Sequence, residues 1–115
     1  MNLYEIWVDR AEGVKDTDLT DAITRFLEYL KAKGLTNSYR ISRRKFGFGP
    51  DFLGEFHITI EFETLDQLDQ AFMRAATRDS EVEPLHAAVF SRVTNYRAGL
   101  WRDFPDDVRV TEPHQ

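Results

Sequence analysis

Residues 55–62, which read EFHITIEF, carry the side chains best suited to acid–base chemistry in this chain. Polar and apolar residues alternate through the segment without a break, which is typical of a half-buried β-strand. His57 and Glu61 are four positions apart, so both lie on the same face of such a strand. A histidine can take up or release a proton near neutral pH, and a nearby carboxylate can orient it. We therefore predict that His57 and Glu61 are catalytic residues.

A second alternating segment, residues 3–9, adds a carboxylate and an indole ring. Its apolar positions predict a core-facing side, and Glu5 and Trp7 fall on the opposite side. Glu5 is the third predicted catalytic residue, as a partner for His57. An indole can form the wall of an apolar pocket, and arginines at alternate strand positions can bind a carboxylate or phosphate. On these grounds we predict four substrate-binding residues: Trp7, Trp101, Arg40 and Arg44.

The same residues also fit a purely structural interpretation. Glu5 and Glu61 would then form ion pairs across an interface between two copies of the chain, with Arg40, Arg44 or Arg97. The basic segment RISRRK, residues 40–45, would be an edge strand whose positive charge resists edge-to-edge pairing. The residues alone leave both interpretations open.

Periodicity predicts the elements that must position these residues. Strands are expected at 3–9, 36–45, 55–63 and 95–102, and helices at 16–33, at 65–77 and at 83–91. Asp16 or Thr17 is expected to cap the first helix, Gly34 to end it, and Thr64 to cap the second. Ser80 and Glu83 resemble a capping box for the third.

The predicted order is βαββα(α)β, the ferredoxin-like arrangement of the α+β class. Right-handed crossovers place the first and third strands in the centre of a four-stranded antiparallel sheet, with the helices on one face. We predict a single domain over residues 1–104 and an irregular C-terminal tail over 105–115. The loop FGFGPDFLG, residues 46–54, is too apolar to be freely solvated, so we expect it to pack, for example on a partner subunit.

Composition excludes several classes of function. The chain has 115 residues, no cysteine and a net charge of −5, so disulfides, Cys-ligated zinc and a thiol nucleophile are absent and general polyanion binding is disfavoured. The segment KFGFG, residues 45–49, superficially resembles an RNA-binding motif, but it does not lie on the third strand. His57, His86 and His114 are far apart, so no metal site is predicted. We predict no cofactor, no nucleic acid or membrane partner, and a cytoplasmic location, because neither a signal peptide nor a membrane-spanning segment is visible.

The length and element order, with an extra short helix before the last strand, resemble the dimeric α/β-barrel superfamily. The resemblance covers residues 3–104, and the chain is similar to uncharacterised bacterial members of this superfamily. It implies a homodimer in which two sheets pack open face to open face, with a cleft between sheet and helices or within the barrel. Members of this superfamily include cofactor-independent monooxygenases and lactone isomerases.

Two functional hypotheses follow. In the first, the protein is a cofactor-independent enzyme, monooxygenase-like or isomerase-like, or a binding protein for a small organic ligand. In the second, it is a non-catalytic homodimeric structural or interaction module with a packed sheet–sheet interface. The sequence does not decide whether the protein is an enzyme, and it identifies no substrate.

Overall fold

The computed structural model describes residues 1–77 and 81–105. The described elements, in chain order, are β1 (Asn2–Arg10), α1 (Asp16–Ala32), β2 (Ser38–Arg43), a short 3-10 helix (Asp51–Leu53), β3 (Phe56–Phe62), α2 (Leu65–Ala76), α3 (Val82–Phe90) and β4 (Val93–Arg102). The strands form one antiparallel sheet in the order β2-β3-β1-β4. The predicted ferredoxin-like fold is therefore confirmed, with β1 and β3 at the centre. Of the predicted tail, only residue 105 lies within the described part of the chain.

The core lies between the sheet and the helices. Alternate residues of β3 are buried on this side, and none is more than 6% exposed: Phe56, Ile58, Ile60 and Phe62. The facing stripe of α1 consists of Leu19, Ala22, Ile23, Leu27 and Leu30. Removal of these side chains from water is the main favourable contribution to folding. The opposite face of the sheet, which we call the open face, is covered by no element of the described chain.

The helix ends agree with the prediction at two of three tested sites. Thr64 caps α2, since its Oγ1 accepts a hydrogen bond from the backbone N–H three residues later at 3.0 Å. Gly34 follows α1 with a φ of +72°, a conformation that glycine adopts without a Cβ clash. The predicted cap of α1 is wrong, because Lys15 occupies the cap position and Asp16 is already helical. The side chain of Asp16 accepts from the Thr17 N–H at 2.7 Å instead. Ser80, predicted to cap α3, lies outside the described residues.

Strand β4 begins at Val93, two residues before the predicted start, and contains a β-bulge that the alternation does not reveal. Its pairing with β1 shifts by one residue between Trp7 and Asp9, and the extra residue lies in β4. Asn95 adopts a φ of +54° there, and its Nδ2 donates to Asp9 Oδ2 at 2.9 Å. Asparagine tolerates this left-handed conformation better than most residues. The bulge places Val93 and Tyr96 on the same, helix-covered side.

The loop between β2 and β3 is held at its base while its aromatic rings face outward. Arg44 Nη2 donates to the Pro50 carbonyl at 2.6 Å, which closes the loop. Phe46, Phe48 and Phe52 are 80%, 78% and 60% exposed. These rings therefore do not pack into the core of their own chain, and their burial by a partner subunit stays a prediction.

Candidate functional site

Three of the residues predicted from the sequence, Glu5, Trp7 and His57, meet on the open face, and Thr59 joins them there. Glu5 Oε1 lies 2.6 Å from His57 Nε2 and accepts a hydrogen bond from Thr59 Oγ1 at 2.6 Å. Trp7 stands opposite His57 in the β1–β3 register, and the two rings stack in parallel with centroids 4.7 Å apart. We call Glu5, Trp7, His57 and Thr59 the open-face cluster. It holds a carboxylate, an imidazole and an indole in fixed mutual positions.

Trp101 completes this surface from β4. Its ring meets Trp7 edge to face, with centroids 5.8 Å apart. It lies directly over Gly99, where an added Cβ would come within 2.7 Å of the ring. Gly99 therefore provides the space that lets Trp101 fold down toward Trp7. About half of the Trp101 surface remains exposed (51%), so this apolar edge is uncovered in the single chain.

The other three predicted residues are not part of the cluster. Glu61 lies opposite Leu3, whereas Glu5 lies opposite Thr59, two residues further along β1. Arg40 is exposed on β2, and Arg44 is engaged by the loop that follows β2. Within the described part of the single chain, no ion pair joins Glu5 or Glu61 to Arg40, Arg44 or Arg97. Ion pairs between these residues across an interface of two copies stay a prediction. Glu5 pairs with His57, which lies on the neighbouring strand two residues from Thr59, the residue directly opposite Glu5.

A cavity of about 380 Å³ lies on the other side of the sheet, between β-strands and helices. Among the residues that the structure describes, nineteen line it, from all three helices and from β1, β3 and β4, and none of these nineteen is charged. Three lining residues that are also largely exposed form its rim: Phe72 (45%), Phe90 (50%) and Tyr96 (44%). The cavity therefore opens to solvent near β4 and is closed at its base by the buried side chains of β3. We call it the helix-side cavity.

Polar atoms reach the helix-side cavity from three side chains. The hydroxyl groups of Tyr4 and Tyr96 are hydrogen-bonded to each other at 2.8 Å, and we call them the tyrosine pair. Burial, together with this hydrogen bond, raises the pKa of Tyr96 above its ordinary value, so its hydroxyl stays protonated at neutral pH. Burial lowers the pKa of His86, which favours a neutral imidazole. A neutral imidazole can accept a proton, and a protonated phenol can donate one.

Aromatic rings surround these polar groups. The His86 ring packs against Phe26 and Phe90, with centroids 5.6 Å and 4.4 Å away. Phe90 in turn stacks near Tyr96 at 5.9 Å, and Tyr4 meets Phe72 edge to face at 5.1 Å. The tyrosine pair thus lies at the exposed rim of the cavity, and aromatic rings are the neighbours of all three polar side chains.

A family model matches residues 1–114. The chain belongs to the DUF6614 family, a family of unknown function. No curated protein matches it. Within the described residues, no helix has the length and hydropathy needed to cross a membrane, and no group of three or more candidate ligands could hold a metal ion.

Solved structures share the fold of this DUF6614 chain at low sequence identity. A mutant of SnoaB, a cofactor-independent oxygenase from Streptomyces nogalater, is 10% identical with a TM-score of 0.67, over 91% of this chain and 97% of that one. The protein At3g17210 from Arabidopsis thaliana is 7% identical with a TM-score of 0.72, over 93% and 99%. A dimeric ferredoxin-like protein of unknown function from Thermobifida fusca is 14% identical with a TM-score of 0.59, over 88% and 90%. The predicted resemblance to dimeric ferredoxin-like α/β-barrel proteins is confirmed.

Sequence reasoning missed the functional potential of Tyr4, His86 and Tyr96. It placed both tyrosines on the core-facing side of their strands, which is correct, but treated that side as packing alone. The available signal was their residue type, because a tyrosine at a core-facing position brings a hydroxyl that needs a partner. The cavity itself gave no sequence signal, since it depends on how far α2 and α3 stand from the sheet.

Proposed function

We propose that this DUF6614 protein is a homodimer that binds a small, largely apolar organic molecule in the helix-side cavity. The observation that carries this proposal is a cavity of about 380 Å³ whose described lining residues are uncharged and whose rim carries a tyrosine pair. Ligand sites are typically concave, mostly apolar and supplied with a few convergent polar groups. The size, lining and polar content of this cavity all match that description.

The polar groups also support cofactor-independent acid–base chemistry on the bound molecule. A neutral His86 would accept a proton from the ligand, and the free O–H of the tyrosine pair would donate a hydrogen bond to an oxygen that gains negative charge. SnoaB, which shares the fold, is described as a cofactor-independent oxygenase. A monooxygenase-like or isomerase-like reaction therefore stays our proposal for the chemistry.

Filling the helix-side cavity should abolish binding without changing the fold. Ala75 lines the cavity from α2, whereas Ala87 is exposed on α3 and does not line it. We expect Ala75→Trp to weaken the binding of 2-acetylnaphthalene by at least about tenfold, because the indole occupies the ligand volume. Isothermal titration calorimetry would measure this, with Ala87→Trp as the matched control. Equal binding by both variants would contradict the proposal, and Ala76→Trp offers a second lining position if Ala75→Trp misfolds.

Self-association through the open face is the second part of the proposal. The face is uncovered in the single chain, carries the exposed ring of Trp101 beside Trp7, and contains the Glu5–His57 pair. A neighbour of the same fold is described as dimeric. An open sheet face with large aromatic side chains is typical of an interaction surface. A cytoplasmic location also remains a proposal.

One observation favours a different catalytic centre, in the open-face cluster. The Glu5 carboxylate, 2.6 Å from His57 Nε2, would orient the imidazole as a general base, with Trp7 and Trp101 as pocket walls. Arg40 and Arg44 would then bind an anionic group, and Glu61 would assist His57. This candidate predicts that His57→Ala loses turnover at least about a hundredfold while Tyr4→Phe retains it. A steady-state assay on any substrate found would decide, since unchanged turnover in His57→Ala excludes the role.

A further inference from the structure

We infer that the molecule bound in the helix-side cavity is uncharged, contains an aromatic ring, and carries a hydrogen-bond-accepting oxygen held by the tyrosine pair. This inference rests on the proposed function, because it specifies the ligand of the same cavity. It follows from three properties of the described lining: the lack of charged side chains, the one O–H of the tyrosine pair that remains free to donate, and the arrangement of the aromatic rings.

The lining excludes a charged ligand on energetic grounds. None of the nineteen described lining residues is charged, so within the described part of the chain an anionic or cationic ligand group would lose its hydration without gaining a counter-ion. His86 does not replace the missing charge, because burial lowers its pKa and favours the neutral form. The basic side chains predicted to bind an anion, Arg40 and Arg44, do not line this cavity.

The tyrosine pair fixes the kind of polar group. Two hydroxyls that share one hydrogen bond use only one of their two protons, so one O–H remains free to donate. A tyrosine hydroxyl is protonated at neutral pH, and burial raises the pKa of Tyr96 further above its ordinary value. The pair is therefore a permanent donor at the rim of an apolar cavity. A carbonyl oxygen satisfies this donor, whereas a hydrocarbon would cover it and leave the O–H without a partner.

The rings that line the cavity favour a flat aromatic partner. Phe26, Phe72, Phe90 and His86 present ring faces and edges at 4.4–5.6 Å from their neighbours, in mostly edge-to-face pairs. A ligand ring can extend this arrangement, since aromatic groups prefer offset-stacked and edge-to-face contacts over other geometries. Two tyrosine rings continue the same wall as far as the donor hydroxyls.

Three ligands of nearly identical shape test the inference. 2-Acetylnaphthalene is an uncharged ketone, 2-isopropenylnaphthalene replaces its oxygen by a methylene group, and 2-naphthoate replaces the acetyl group by a carboxylate. We expect the ketone to bind about tenfold more tightly than either analogue in calorimetric titrations at neutral pH, because only the ketone satisfies the donor without bringing a charge. In the double variant Tyr4→Phe/Tyr96→Phe, the preference for the ketone over the hydrocarbon should fall below about threefold. Tyr29→Phe is the matched control, because the Tyr29 hydroxyl binds Arg74 and does not line the cavity.

The possible outcomes separate this inference from the function on which it rests. If none of the three compounds binds, the inference about the ligand is overturned. If the compounds bind and Ala75→Trp binds them as the unchanged protein does, the proposed cavity function is wrong. If all three bind in the cavity with equal affinity, the function stands and the inference is overturned. A ketone preference that survives in the double tyrosine variant also overturns it, because another group would then be the donor.

Discussion

Replacing Trp7 by glutamate is expected to convert the proposed homodimer into a monomer at micromolar concentration. Trp7 lies in the centre of the open face, stacked on His57 and in contact with Trp101. A glutamate there removes the indole from the interface and buries an unpaired carboxylate near Glu5. Each buried, unpaired charge costs several kcal/mol, and a two-fold symmetric dimer contains two of them. The dissociation constant of the dimer should therefore rise by at least about a hundredfold.

Analytical ultracentrifugation over a concentration series would measure this change. Ala87→Glu is the matched control, since it adds the same charge at an exposed position on α3, on the other side of the sheet. Far-UV circular dichroism would show that the variant chain still folds, and Trp101→Glu, at a half-exposed ring, is the second variant if it does not. A Trp7→Glu protein that remains dimeric would show that the open face is not the interface.

The fold could be predicted from the sequence because its local signals agree with one another. The unbroken alternation of β3 fixes which side chains are buried, and a one-residue slip would expose all four of them. The apolar stripe of α1 identifies the side of the helix that faces the sheet, and the cap at Thr64 identifies where α2 begins. Each of these features depends on neighbours within a few positions in the chain, which is the range over which a sequence pattern carries information.

The remaining features depend on contacts that have no short-range pattern. The bulge at Asn95 reverses the alternation of β4, so Val93 rather than Thr94 shares a face with Tyr96. The sequence predicts Asp16 or Thr17 as the cap of α1, but Lys15 occupies that position without a side-chain cap, and Asp16 accepts a hydrogen bond from Arg43 at 3.1 Å. These choices follow from packing and long-range ion pairs, which override local preference.

The candidate sites show the same division. Register between β1 and β3 made the meeting of Glu5, Trp7 and His57 predictable, because adjacent strands align polar residues on one face. The prediction chose residues of the open face because their polar side chains alternate with apolar ones along the strands. The helix-side cavity is hidden from such reasoning, because its polar atoms are hydroxyl and imidazole groups on otherwise apolar stripes.

Replacing Phe56 by alanine is expected to lower the free energy of unfolding by about 3–5 kcal/mol, the range seen when a buried phenylalanine is truncated. Phe56 is 4% exposed at the start of β3, and its ring also faces the Arg43 guanidinium, 5.3 Å from the ring centroid. The substitution therefore leaves a cavity and removes a cation–π contact. Phe56 does not line the helix-side cavity, so the loss of stability should not depend on ligand binding.

Phe48→Ala makes the same chemical change at a ring that is 78% exposed, and it is the matched control. Urea denaturation of both variants should be followed at several protein concentrations, because the stability of a dimer depends on concentration. At dilutions that favour the monomer, Phe48→Ala should change stability by less than about 0.5 kcal/mol. A similar loss for both variants at those dilutions would contradict the described burial. A loss of stability for Phe48→Ala that emerges only at high protein concentration would mean that a partner subunit covers the 46–54 loop, as the sequence predicts. If no such loss emerges, the three exposed phenylalanines lie outside the dimer interface.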